Sequence, residues 1–129
     1  MTRKMVYSLL GLSAVAMLSP AALAQDDPDA LAAATEQVDS GMALVRRQTG
    51  SSDLAGALGT LERVLFNYPE SVPPRLLYAS LLCRLDDRQG AELELGLLAG
   101  KPIADGDWAE VIAACGPVAR PAPPKRQKK

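Results

Sequence analysis

The chain has no histidine. That removes the side chain that most often moves protons near neutral pH, and with it the commonest metal ligand. No imidazole is present to activate a serine hydroxyl. The two thiols, Cys83 and Cys115, cannot complete a tetrahedral zinc site by themselves, and they lack the CxxC spacing of dithiol redox enzymes. Aromatic residues make up 4% of the chain, β-branched residues are sparse, and no apolar/polar alternation marks a strand. No glycine-rich loop precedes a helix in the form that cradles phosphate. The reading that follows is a protein that is not an enzyme and that carries no metal and no cofactor.

Charge is near balance over the whole chain but unevenly distributed. All 15 acidic residues lie between Asp26 and Glu110. Arg3 and Lys4 stand at the start, and Arg120, Lys125, Arg126, Lys128 and Lys129 at the end. The segment between them keeps seven basic residues, a net charge of −8. An acidic body argues against nucleic acid, which needs a basic footprint.

The opening residues have the three parts of a secretory signal. Arg3 and Lys4 lead an uncharged, mostly apolar run from Met5 to Leu18, Pro20 breaks it, and Ala22-Leu23-Ala24 fits the small-x-small cleavage pattern. The expected cut falls between Ala24 and Gln25, giving a signal peptide over 1–24 and an exported chain, periplasmic or secreted. The residue after the cut is not the cysteine of a lipid-anchored form. No second run is long and apolar enough to span a membrane.

The expected body, 25–118, reads as helix, turn, helix, repeated. Asp27-Pro28 opens helix one, with Pro in the first turn, and its stripe of Leu31, Ala34, Val38, Met42 and Val45 runs to Gly50. Helix two starts at Ser52 or Asp53, carries Leu54, Ala57, Leu58, Leu61, Val64 and Leu65, and stops at Asn67-Tyr68-Pro69. Ser71 caps helix three, whose face is Leu77, Leu81, Leu82 and Leu85. Helix four starts at Asp86 or Asp87, buries Ala91, Leu95 and Leu98, and ends at Gly100. Helix five covers 105–115 with Trp108, Val111 and Ile112 apolar. Asp86, Asp87, Glu92 and Glu94 read as caps and solvated residues of a helix start rather than an acid–base pair.

An internal repeat runs through this pattern. Asp53, Gly56-Ala57, Leu61 and Val64 recur as Asp87, Gly90-Ala91, Leu95 and Leu98, offset by 34 residues each time. Such a period marks stacked helical hairpins, since one amphipathic hairpin cannot bury its own face. On these residues the chain resembles the tetratricopeptide repeat family over about 38–115. Ala57, Leu61, Val64 and Pro69 stand at that family's helix B and unit-end positions, as do Ala91, Leu95 and Leu98. Ala79, Leu82 and Leu85 stand at its helix A positions. Arg75 replaces the usual Trp, Asp86 the usual Gly, and Pro102 comes one place early. The chain is also similar in texture to the periplasmic repeat domain of surface lipoprotein assembly modifiers.

The resemblance implies an all-α, right-handed stack of about five helices, with helix five as a lid. It implies a concave groove lined by the first helix of each hairpin, here Met42, Arg46, Leu76, Ser80 and Arg84, suited to an apolar peptide with an acidic end. Cys83 and Cys115 fall on successive first helices, their separation two short of the period. A disulfide and two buried small hydrophobes are both open readings. The expected function is a periplasmic adaptor that binds another envelope protein or peptide. The alternative is an envelope-surface protein that binds anionic lipid or lipopolysaccharide through a disordered Pro-rich basic tail, 119–129. The exposed end helices of so short an array also allow a homodimer.

Overall fold

A computed structural model describes residues 27–123. The proposed signal peptide and Lys125, Arg126, Lys128 and Lys129 lie outside the described residues. Within them the protein is all-α. Six helices follow one another: α1 (Pro28–Ala34), α2 (Val38–Gly50), α3 (Leu54–Asn67), α4 (Val72–Arg84), α5 (Arg88–Gly96) and α6 (Asp105–Cys115). Helix α2 packs on α3, α3 on α4, and α4 on both α5 and α6.

The two hairpins, α2–α3 and α4–α5, turn by the same device. The amides of Ser52 and Asp53 donate to the carbonyls of Thr49 and Gln48 at 3.1 and 2.8 Å, and those of Asp86 and Asp87 donate to Cys83 and Leu82 at 3.1 and 2.9 Å. This paired closure of a helix C-terminus needs a left-handed residue between, and Ser52 and Asp86 take φ of 63° and 67°. The aspartate that completes each closure then caps the next helix. Asp53 Oδ1 accepts from the Gly56 amide at 2.9 Å, and Asp87 Oδ1 from the Gly90 amide at 2.8 Å. One residue thus ends one helix with its backbone amide and starts the next with its side chain, which is why so short a link turns the chain back.

The core follows the same offset. Ala57 and Ala91 are fully buried, and so are Leu61 and Val64, while Leu95 and Leu98 are at most 2% exposed. Small residues at 57 and 91 let the partner helices approach. The first layer joins Val45, Ala57, Leu61 and Leu81. The second joins Leu76, Ala79, Ala91, Leu95, Leu98, Val111 and Cys115. Arg75, at the place where the resembled family carries Trp, forms an ion pair with Glu94 and donates to the Pro69 carbonyl at 2.8 Å. It ties α4 to α5 by charge instead of by aromatic packing.

Four expectations need correcting. The first expected helix is two, so the helices number six rather than five. Gln37 is extended (φ −132°, ψ 144°), and the freed carbonyls are captured from a distance: Asn67 Nδ2 donates to Thr35 O at 3.0 Å and the Tyr68 hydroxyl to Glu36 O at 2.5 Å. The break also seats Gly41 against α3, where a Cβ would stand 2.3 Å from Val64 Cγ2. Helix α5 ends at Gly96 rather than Gly100, because its last turn tightens into i→i+3 bonds from Leu98 to Leu95 and Ala99 to Gly96. Leu85 is 46% exposed and is not a core residue. It sits at the C-cap of α4, past the last turn that faces the core.

The fourth correction concerns the tail boundary. Residues 119–123 are not a free tail but fold back over the end of the helical body. The Gly100 amide donates to Ala122 O at 2.9 Å. Arg120 pairs with Asp105 at 2.7 Å, donates to Ile103 O at 2.5 Å, and lies 5.8 Å from the Trp108 ring centre. Arg88 holds the start of this strap by donating to the carbonyls of Cys115 and Pro117.

Candidate functional site

Helices α2, α4 and α6 enclose a groove of about 520 Å³. All five residues expected to line the concave face, Met42, Arg46, Leu76, Ser80 and Arg84, do line it. Met42 and Arg46 share one face of α2 by their i, i+4 spacing. Leu76, Ser80 and Arg84 form the matching stripe on α4. Leu76 is 4% exposed and belongs to the second core layer as well. The groove floor is therefore part of the core, and it cannot deform without disturbing the packing beneath it. Ser80 Oγ donates to Leu76 O at 2.9 Å, so its proton is spent on its own helix and its lone pairs remain to accept.

The third wall is α6, which supplies Asp107, Glu110, Val111 and Ala114. These residues were not anticipated. The signal was nonetheless present, because the repeat offset carries Leu76 to Glu110 and Ser80 to Ala114. The groove is thus basic on α2 and α4 and acidic on α6. Arg46, Arg84, Asp107 and Glu110 are all exposed, and none forms an ion pair among the described residues.

Cys83 and Cys115 are joined in a disulfide, with Cα atoms 5.0 Å apart. The bond links the last turn of α4 to the last residue of α6. It holds the acidic wall of the groove to the basic one. Val111 and Cys115 reach under α4 into the second core layer, so the wall is also packed in place.

The remaining singled-out residues have structural work. Asp87 is the N-cap of α5, and Glu94 pairs with Arg75. Glu92 pairs with Arg88 at 3.1 Å along one helix face. Arg120, expected to serve a free basic tail, is engaged by Asp105 and Trp108. Among the described residues no three acidic or cysteine side chains converge as a metal site, and no helix is long and apolar enough to cross a membrane. Tyr78 donates to Glu62 at 2.8 Å, and burial, with the nearby carboxylate, pushes its hydroxyl up to about 12. No family model matches the chain, and no curated protein or solved structure does either.

Proposed function

We propose that this protein is an exported, non-catalytic adaptor of the bacterial cell envelope, of tetratricopeptide type, that receives an extended segment of another envelope protein in the α2/α4/α6 groove. One observation carries the reading. Side chains from three helices, far apart in sequence, converge on one open groove with an apolar floor and charged rims that form no ion pair among the described residues. The half-buried Met42, Leu77 and Ala114 offer dispersion contacts, and Arg46 and Arg84 offer forked donors for a carboxylate. The signal-like opening supports a periplasmic location. The lack of histidine and the capping and pairing roles of Asp87, Glu92 and Glu94 support a binding role over a catalytic one.

The test is affinity capture from envelope extract with three forms of the chain from Gln25: unaltered, carrying Arg46→Glu with Arg84→Glu, and ending at Pro123. Truncation at Pro123 spares Arg120, which belongs to the folded body. A discrete protein retained by the unaltered and shortened chains but lost from the double variant is the expected result. Recovery of lipid or lipopolysaccharide that disappears on truncation or with added salt would overturn the adaptor reading in favour of surface association.

A further inference from the structure

The disulfide allows the groove to be read along its length. It joins the last turns of α4 and α6, while Pro73 and Asp107, in the first turns of the same helices, line one groove. The two helices therefore run parallel, in a register that places Cys115 level with Cys83. In that register Asp107 is level with residue 75 and Glu110 with residue 78, toward the N-terminal ends. Arg84 lies at the opposite end, and Arg46 is level with Ser80 by the repeat offset. Along the axis the acidic pair stands level with 75 and 78 and the basic pair with 80 and 84, so Asp107 and Arg84 mark the two ends while Glu110 and Arg46 lie close to one another near the middle. Asp107 and Arg84 are nine residues of helical rise apart, or about 13 Å. An extended chain covers about 13 Å in four residues.

On the reading that this groove receives a peptide, we infer that its occupant is a short extended segment carrying a basic and an acidic side chain four residues apart, with apolar residues between them. The carboxylate sits against Arg84, the cation sits against Asp107, and the apolar residues between them lie over the half-buried Met42, Leu77 and Ala114, with Arg46 and Glu110 flanking the middle. The four rim charges have no ion-pair partners among the described residues, so such a segment would complement both ends at once. A segment with like charges at both ends meets repulsion at one of them. The selectivity is for a bipolar segment over either singly charged one, and the apolar floor alone cannot supply it.

Fluorescence anisotropy with three end-blocked synthetic peptides tests this: Lys-Ala-Leu-Leu-Glu, Glu-Ala-Leu-Leu-Glu and Lys-Ala-Leu-Leu-Lys, each with a labelled linker. The bipolar peptide is expected to bind the chain from Gln25 about threefold to tenfold more tightly than either of the others, the preference shrinking with salt. The Arg46→Glu, Arg84→Glu variant should switch its preference to the doubly basic peptide. The Asp107→Lys, Glu110→Lys variant should switch to the doubly acidic one. All four sites are exposed, and unchanged helical circular dichroism identifies a folded variant; a switch in preference is something misfolding cannot produce. Equal binding of all three peptides, or no binding of any, overturns the inference. If the groove variant still loses its captured envelope protein in that case, the adaptor reading survives and only the bipolar occupant fails.

Discussion

Reducing the Cys83–Cys115 bond should cost this fold a large part of its stability. The bond closes a loop with a sequence separation of 32 residues. In the chain-entropy model such a loop restricts the unfolded chain by about 3.7 kcal/mol at room temperature. A domain of this size has roughly 5–15 kcal/mol in total, and the short array has few layers over which to share the loss. Native-state contacts change little on reduction, since Cys115 is buried against the Ala79 carbonyl and stays packed as a thiol. The effect therefore appears mainly through the unfolded state. In urea, with a slope of about 1–1.5 kcal/mol per molar, the midpoint should fall by about 2.5–3.7 M, and the slope should rise as the released chain exposes more surface. The assay is equilibrium unfolding followed by circular dichroism, with and without reductant, and thiol alkylation read by mass to confirm that both cysteines are free. Coincident curves for oxidised and fully reduced protein would refute the entropic argument. A lower midpoint with an unchanged slope would locate the loss in the native packing of α6 on α4 instead.

Three further outcomes follow from the turns and from Tyr78. Asp53→Ala and Asp87→Ala each remove a side-chain N-cap while keeping the backbone amide that closes the preceding turn, and each should lower stability by about 1 kcal/mol; chemical denaturation reads this, and an effect below measurement error would show that water replaces the cap at no cost. Asp86→Gly should raise stability by about 0.5–1 kcal/mol, because glycine adopts the left-handed φ of 67° at that position without steric strain, and a lowered thermal midpoint would contradict it. The Tyr78 hydroxyl, pushed up to about 12 from 10.0, favours the folded state while neutral. Its contribution is complete below pH 10 and is lost as pH rises from there through about 12. Tyrosinate absorbance should show one late-titrating tyrosine that disappears in Tyr78→Phe; a titration in which all tyrosines ionise together near 10 would dispose of the shift.

The hairpins were legible in the sequence because their determinants are local and repeated. Asp53 and Asp87 cap helices through amides three residues on, and Ala57, Ala91, Leu61 and Leu95 follow helical spacing, so a reader of the chain needs no tertiary knowledge to place them. The break between α1 and α2 was not legible, for the opposite reason. Leu31, Ala34, Val38 and Met42 keep the period of one continuous helix, while the groups that stabilise the break, Asn67 and Tyr68, come from more than thirty residues away. The strap is a similar case. Proline and basic residues near the end read as an unstructured tail, yet Arg120 finds Asp105, Trp108 and the Ile103 carbonyl across the fold. Local composition reports a segment's intrinsic preference and carries no information about a distant partner.

The site divides along the same line, and the division has a physical cause. Met42, Leu76 and Glu110 occupy one repeated position on three successive first helices, and Arg46, Ser80 and Ala114 occupy another. A stack of hairpins brings equivalent positions together whatever side chains they bear, so the location of the groove follows from the period alone. Its chemistry does not repeat. At one position methionine and leucine pack on the core while glutamate is exposed, and at the other arginine, serine and alanine share neither charge nor size. A core position is held to apolar residues of matched size, as at 57 and 91 or 61 and 95, whereas a position facing an open groove is free to differ from unit to unit. The divergence at these two positions, set beside the near identity of the core positions one face away, separates the faces turned to the groove from those turned to the next helix. On that ground the acidic α6 wall belongs to the site, although its residues resemble nothing on α2 or α4.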